Sequence, residues 1–293
     1  MSIPIQERSV SENLSLVFGL FFSNLGRLLL LSLLFAIPIL TPQILAILDP
    51  GAWTYDDADG VRWELGEAIS TLLWLLLLPV LIGSVTGLVA GTYSGKKVSI
   101  LGSLGLGIRR ALPLLVYGVL YHLLLILVAL PGILLIRETM GSPALILAAL
   151  LAWIPAMTVL SMFFVGIPAV AVERVGPLAA FSRSLALTKG HRWRIFRFYF
   201  MTLLVTVVLY MMVSLLTGVL GSLFIGLAVA DDLAGLILLA LLLGLIGIVT
   251  LLLLSVIAPV VIYFQMCAVK ENYQLTSIAD FVDQIQERRS AVD

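Results

Sequence analysis

Long runs of apolar residues, separated by short polar stretches, organise this sequence. Six runs reach the roughly 20 residues that a helix needs to cross the hydrocarbon of a bilayer. They cover residues 28–48, 69–93, 112–136, 144–172, 198–227 and 233–269. The pattern therefore predicts an all-α, polytopic membrane protein with six transmembrane helices.

Shorter segments that mix apolar and basic residues at helical spacing precede several spans. These segments cover 14–25, 96–111 and 173–197, and such helices lie in the headgroup plane with the apolar face toward lipid. A unit of interfacial helix, span, outer loop and span recurs three times, which predicts three quasi-repeated hairpins with interfacial amphipathic helices on the cytoplasmic side. The predicted domains are a six-helix unit, 1–270, and a short cytoplasmic amphipathic tail, 271–293.

Lysine and arginine are distributed very unevenly along this pattern. With the N-terminus inside, the outer loops hold only Arg62 and Arg137 of the 17 basic residues. The other 15 fall in inner segments: Arg8, Arg27, Lys96, Lys97, Arg109, Arg110, Arg174, Arg183, Lys189, Arg192, Arg194, Arg197, Lys270, Arg288 and Arg289. Because cytoplasmic loops carry the excess of Lys and Arg, both termini are predicted to be cytoplasmic.

Composition supports a lipid environment and narrows the chemistry. The chain is 61% apolar and 12% charged, whereas soluble domains are about half apolar and a quarter charged. The lone Cys267 excludes an intrachain disulfide and a multi-cysteine metal site. The first residues lack a basic leader and a cleavage site, so we expect the N-terminal segment to be retained.

The predicted spans contain almost no ionisable residues, and His122 is the clear exception. It lies midway along the third span, beside Tyr117 and Tyr121. The favoured interpretation of this candidate intramembrane polar site is a hydrogen-bonded packing residue, because polar side chains pair across helices. The alternative is a ligand or proton site.

Four glycines, Gly83, Gly87, Gly91 and Gly95, recur at every fourth position of the second span. The spacing places them on one helix face without side chains, where another backbone can approach closely. Packing against a neighbouring helix of the bundle is the favoured interpretation. Homodimerisation is the alternative.

The inner segment 189–197 is dense in cations and aromatics. Candidate anionic-lipid contacts in and beside it are Arg183, Lys189, Arg192, Trp193, Arg194 and Arg197. Each cation near an anionic leaflet contributes about 1 kcal/mol of attraction, and Trp favours the headgroup zone. A non-specific anchor is the favoured interpretation, a specific lipid-phosphate pocket is the alternative, and nucleic acid is not expected because the segment abuts the membrane.

No complete catalytic or metal motif is present in the sequence. The acidic loop 55–60 lacks the carboxylates of a calcium loop at the first and last positions. Ser94-Gly95-Lys96-Lys97 fits an acyl-enzyme pattern but has no companion motifs. We therefore expect no cofactor and no enzymatic activity.

One stretch after the fourth span carries a family resemblance. Residues 172–190, and above all the motif Phe181-Ser182-Arg183-Ser184 followed by Leu187-Thr188 and Gly190, resemble bacterial inner-membrane proteins of the YciC type. These are similar to the membrane domain fused to some glycerophosphodiester phosphodiesterases. The resemblance covers roughly residues 10–270 and implies a six-helix protein of the bacterial inner (plasma) membrane, without transferable catalytic residues.

Two functions are consistent with these observations. The first is a non-enzymatic membrane protein in envelope or lipid homeostasis, with anionic membrane lipids, a second copy of the chain or other membrane proteins as partners. The second is a transporter or channel for an apolar or amphipathic small molecule or lipid. In either case Gly176-Pro177 starts a helix near the inner headgroups, and Arg183, Lys189 and Arg192 are expected to engage a lipid phosphate.

Overall fold

Long apolar helices make up most of the computed structural model, which describes residues 8–49, 54–56, 62–138, 142, 144–227, 253–271 and 275–290. Six of its helical segments are long and apolar enough to cross a membrane, which confirms the predicted all-α membrane fold. They are α2 (Leu25–Leu48), α3 (Leu65–Ser94), α4 (Ile100–Glu138), α5 (Ala144–Phe163) with α6 (Gly166–Val172), α8 (Arg192–Leu227) and α9 (Leu253–Glu271). The part of the predicted sixth span before Leu253 lies outside the described residues.

Three shorter helices accompany these spans: α1 (Val10–Ser23), α7 (Pro177–Thr188) and α10 (Leu275–Ser290). Helix α1 starts with a capping box, in which Ser9 and Glu12 satisfy each other's backbone N–H groups. Helix α7 starts with Pro177 in its first turn, where a missing N–H has no cost. The predicted separate interfacial helix at 96–111 is instead mostly the first part of α4, which continues through Pro113 without a break.

A short β-hairpin lies between α2 and α3. Strands β1 (Thr54–Asp56) and β2 (Arg62–Glu64) pair antiparallel, with Tyr55 opposite Trp63. The tip, residues 57–61, lies outside the described residues, and so does part of the acidic loop that resembles a calcium site.

Helix α9 occupies the middle of the described helices. In the apolar stretch of 18 residues within α9, 78% of the residues are buried, whereas the corresponding stretches of α4 and α8 are 11% and 6% buried. Its neighbouring aromatics Tyr263 and Phe264 are fully buried, and the ring of Phe264 contacts that of Tyr93 from α3. Helices α4 and α8 therefore form outer walls, with long apolar faces left for lipid.

The glycines of the second span lie against neighbouring backbone. A Cβ atom on Gly83 would stand 2.7 Å from the Cα of Gly107 in α4, and one on Gly91 would stand 2.5 Å from the Val98 side chain. Gly87 faces Ser103 and Leu106 of α4, and Gly95 ends the helix with φ +73°. These contacts are all within one chain, and the homodimer alternative stays a prediction.

The fourth predicted span is broken into α5 and α6. Pro168 has no N–H to offer the carbonyl of Phe164 four residues earlier and its ring crowds that carbonyl, so α5 ends at Phe163 and α6 starts at Gly166. At this break the carbonyls of Met162 and Phe163 accept hydrogen bonds from side chains of α7 and α4, respectively. The recurrence of the hairpin unit, in contrast, stays a prediction.

Candidate functional site

The ends of all six spans meet at one end of the bundle, which we call the basic end. It is built from the starts of α2, α4 and α8, the ends of α3, α6 and α9, and the three short helices. Side-chain contacts between segments distant in sequence hold this end together. They are the ion pair of Lys96 with Asp283 and the hydrogen bonds of Arg174 with Gln284 and of Asn24 with Thr92. The 15 basic residues assigned to the inner side fall in the segments that converge here.

The centre of the basic end is a cluster of Glu173, Arg183 and Glu271. The guanidinium of Arg183, on α7, donates through Nε to both carboxylate oxygens of Glu173 at 2.8 Å. It also donates through both Nη atoms to Glu271 at the end of α9, with 2.7 Å between Nη2 and Oε2. Tyr263 donates its hydroxyl to Glu173 Oε1 at 2.7 Å. One cation on α7 thus joins the end of α6, ten residues earlier, to the end of α9, 88 residues later.

The electrostatics of this cluster favour a fixed, charged arginine. Hydrogen bonding to Glu271 raises the pKa of Arg183, Glu173 adds to this effect, and burial opposes it. The three side chains are 25%, 21% and 38% exposed for Arg183, Glu173 and Glu271. A bidentate guanidinium between two carboxylates has well-defined geometry and is partly shielded from solvent, so it stabilises more than an ordinary surface pair.

Further contacts bind α9 to the short helices. Lys270 donates to the carbonyls of Ala186 and Lys189 at 2.8 and 2.6 Å, at the C-terminal end of α7, where carbonyls lack intrahelical partners. The buried side-chain amides of Asn13 and Gln265 meet at 2.8 Å. The end of α9 is therefore held by both α1 and α7.

The motif that carries the family resemblance folds onto the break in the fourth span. Ser184 donates to the carbonyl of Met162 at 2.8 Å, and Thr188 lies 3.4 Å from the same oxygen. The ring of Phe181 stacks on Tyr117 with centroids 4.5 Å apart and meets Phe163 edge-on at 5.0 Å. On one side of α7, residues of the motif thus donate to a backbone carbonyl at the end of α5. Arg183 of the same motif faces the carboxylates of Glu173 and Glu271.

Tyr117 completes this arrangement from α4. Its hydroxyl donates to the carbonyl of Phe163 at 2.7 Å, and its ring is fully buried. A Cβ atom on Gly166 would stand 2.0 Å from that hydroxyl, so only glycine leaves room for the tyrosine. Tyr121, whose ring stacks on Tyr117 with centroids 6.2 Å apart, is also buried, whereas their neighbour His122 is exposed.

The predicted lipid-contact residues divide into inward and outward groups. Arg183 faces Glu173 and Glu271, and Arg194 donates to the carbonyl of Arg8. The remaining four are exposed: Lys189, Arg192, Trp193 and Arg197. We call these four the outer basic face.

An aromatic ladder runs from the outer basic face along α8. Trp193, 68% exposed, stacks on Phe196 with centroids 5.2 Å apart, and Phe196 stacks on Phe200 at 6.2 Å. Positions 193, 196 and 200 share one helix face, between Arg192 and Arg197. Cations above aromatics that lead into an apolar helix are typical of a headgroup-to-hydrocarbon boundary.

His122 lies on the exposed face of α4, at the wall of a groove between α3 and α4. The groove has a volume of about 430 Å³. Apolar side chains make up most of its lining, among them Trp74, Leu78, Ile82, Leu115, Val119 and Ile126. Nδ1 of His122 is 2.7 Å from the carbonyl of Gly118, one helical turn earlier.

Sequence reasoning missed Glu173, Tyr263 and Glu271. Glu173 stands ten residues before Arg183 in the stretch that carries the resemblance, so a local carboxylate partner could have been proposed. Nothing local marks Glu271 or Tyr263, since their pairing depends on how α9 packs.

The comparisons with known proteins identify no relative. No protein-family model matches the chain, and neither a curated protein nor a solved structure matches it. The resemblance to YciC-type proteins therefore stays a prediction.

Proposed function

We propose that the protein is a non-enzymatic, multi-pass protein of a bacterial inner membrane that binds anionic lipid headgroups at its basic end, on the cytoplasmic side, in envelope or lipid homeostasis. The observation that carries this proposal is the outer basic face with its aromatic ladder. Lys189, Arg192 and Arg197 point outward there, while Trp193, Phe196 and Phe200 continue toward the hydrocarbon.

The division of the arginines gives the proposal its chemistry. Arg183 already has carboxylates for its guanidinium donors, so it fixes α7 against α9 and thereby positions the outer face. Arg192 and Arg197 flank the aromatic ladder at the start of α8, and their long side chains allow both guanidinium groups to reach the headgroup level.

The packing around α9 supports a lipid-binding scaffold over a transporter. Among the described residues, the middle of the bundle is filled by apolar side chains of α9 such as Ile257, Val261 and Phe264. A polar-lined path would favour transport. The groove beside His122 is mostly apolar and lies on the outer wall.

The test is lipid retention by purified protein. Native mass spectrometry in detergent would compare bound phosphatidylglycerol and phosphatidylcholine for the wild type and for Arg192→Gln/Arg197→Gln. At about 1 kcal/mol for each cation, the double variant should weaken phosphatidylglycerol binding at least tenfold and leave phosphatidylcholine binding unchanged.

A matched control removes the same charge from the opposite end. Arg62→Gln/Arg137→Gln should retain phosphatidylglycerol like the wild type. Equal retention by both double variants would overturn the proposal. A reporter fused after residue 293 tests orientation separately, and periplasmic reporter activity would contradict the cytoplasmic assignment.

A further inference from the structure

Besides Trp74, two residues with polar side-chain atoms line the groove between α3 and α4, Tyr121 and His122, and the position of His122 in the membrane limits what the groove can bind. At 1.5 Å per residue, His122 lies about 18 Å along α4 from Arg110 and about 22 Å from Arg137. Since the hydrocarbon is about 30 Å thick, the imidazole is near the middle of the bilayer. Headgroup phosphates and ester groups of ordinary phospholipids stay far from this depth.

The hydrogen bond within α4 determines what the imidazole can offer. The carbonyl of Gly118 can only accept, so Nδ1 carries a proton, and in the neutral imidazole this is the single ring proton. Nε2 is then a lone-pair acceptor, and among the described residues no group donates to it.

We propose that this groove binds an uncharged, membrane-dissolved lipid that carries a hydroxyl group, with the hydroxyl donating to Nε2 of His122. The apolar body of the ligand lies along Trp74, Leu78, Leu115 and Val119. A volume of about 430 Å³ is within the range of small-molecule sites. A long-chain or isoprenoid alcohol and a quinol share this chemistry.

The polarity of the hydrogen bond separates this ligand from close alternatives. A ketone, ether or quinone oxygen can only accept, and it meets a lone pair at Nε2. A phospholipid acyl chain fills the groove without any partner for His122. A fatty acid carboxylate is held at the headgroup level by its charge. The site is independent of the anionic-lipid contacts proposed for the basic end.

The test uses a matched pair of probes, 12-bromododecan-1-ol and its methyl ether, because bromine quenches tryptophan fluorescence on contact. Trp74 lines the groove, so it is kept while the other four tryptophans, Trp53, Trp63, Trp153 and Trp193, are changed to Phe. In lipid nanodiscs the alcohol should quench Trp74 saturably, and the ether should bind at least fivefold more weakly. His122→Phe should abolish the difference between the two probes.

The control variant is Thr158→Val on α5. Thr158 is also exposed and also donates to the carbonyl one turn earlier, Ile154, at 2.9 Å, but it does not line the groove. This variant should keep the preference for the alcohol. A second measurement, native mass spectrometry of the alcohol bound to protein with all its tryptophans, should show the same loss in His122→Phe.

Three results would overturn the proposal. One is quenching that rises linearly with probe content and is equal for alcohol and ether. Another is an alcohol preference that survives His122→Phe. The third is saturable quenching of Trp74 by phosphatidylcholine with brominated acyl chains at the same strength, which would assign the groove to ordinary lipid.

Discussion

The cluster around Arg183 and the groove beside His122 are both polar regions on an apolar framework, and they differ in how their polar atoms are satisfied. Arg183 has two carboxylates as partners, and those carboxylates come from α6 and α9. Among the described residues His122 has one hydrogen-bond partner, within its own helix. A group whose partners lie on other elements stabilises the fold, whereas a group that is satisfied locally and faces outward is available for binding.

The comparison can be tested with a reporter that the chain already contains. Cys267 is the only cysteine, and it is buried in α9 beside Tyr263. A thiol-reactive fluorophore therefore reports when α9 leaves the core. The unfolding midpoint in detergent, measured by this labelling, serves for each stability prediction below.

The largest effect is expected from Arg183→Ala. It leaves Glu173 and Glu271 facing each other without a cation, and removal of one partner from a buried pair costs about 3–5 kcal/mol. Partial exposure of all three side chains lowers our expectation to about 2 kcal/mol. The midpoint should fall by about 5 °C.

Two controls separate pairing from mere loss of a side chain. Arg192→Ala, on the outer basic face, should leave the midpoint unchanged. The triple change Arg183→Met, Glu173→Gln and Glu271→Gln should recover part of the loss, because it leaves no carboxylate unpaired. If the triple variant were less stable than Arg183→Ala, the cluster would not act through charge pairing.

Gly166→Ala is the next largest. The added methyl would stand 2.0 Å from the hydroxyl of Tyr117, so the tyrosine must move and its bond to Phe163 must break. Overpacking of this kind costs about 1–3 kcal/mol. Gly105→Ala in α4, where a Cβ meets nothing within 4 Å, should be neutral or slightly stabilising. Equal midpoints for both variants would contradict the proposed fit.

A smaller effect is expected from Tyr117→Phe, which keeps the ring and removes only the hydroxyl. The carbonyl of Phe163 then loses its donor, at a cost of about 1 kcal/mol. Ser184→Ala removes the donor to Met162 and should cost a similar amount. Because both hydrogen bonds serve one interrupted helix, the loss of stability in the double variant should differ from the sum of the two single losses. A loss equal to that sum would show that the two sites are independent.

Much of this fold could be predicted from sequence, for a physical reason. A transmembrane helix must be apolar along most of its length, so it is visible in the sequence as one continuous apolar run, and its tertiary contacts need not be known. The four-residue spacing of Gly83, Gly87 and Gly91 likewise shows that a close approach occurs, although it does not show that the neighbour is α4. The local sequence pattern thus identifies the helix face that makes a close contact, but it does not identify the helix that this face contacts.

The sites were less predictable because their partners are distant. Arg183 stands out among basic residues only once α9 brings Glu271 beside it, 88 positions later in the chain. The break at Phe164 follows from Pro168, yet the side chains that satisfy it come from α4 and α7. His122 was found at once, since an ionisable residue in an apolar span is conspicuous, but the acceptor role of Nε2 required the bond to Gly118.

The smallest stability effect is expected from His122→Phe, and its smallness sharpens the comparison. The ring is exposed, and among the described residues its one hydrogen bond is to Gly118 in the same helix, where the carbonyl already serves the backbone ladder. Phe is at least as large as His and suits a lipid-facing position, so the free energy of unfolding should change by less than about 0.5 kcal/mol. A loss as large as that of Tyr117→Phe would mean that His122 is a structural residue like its neighbour. An unchanged midpoint with loss of alcohol binding would show that His122 contributes to binding and not to folding. No variant of Arg183 can make this separation, because its partners Glu173 and Glu271 hold the helices together.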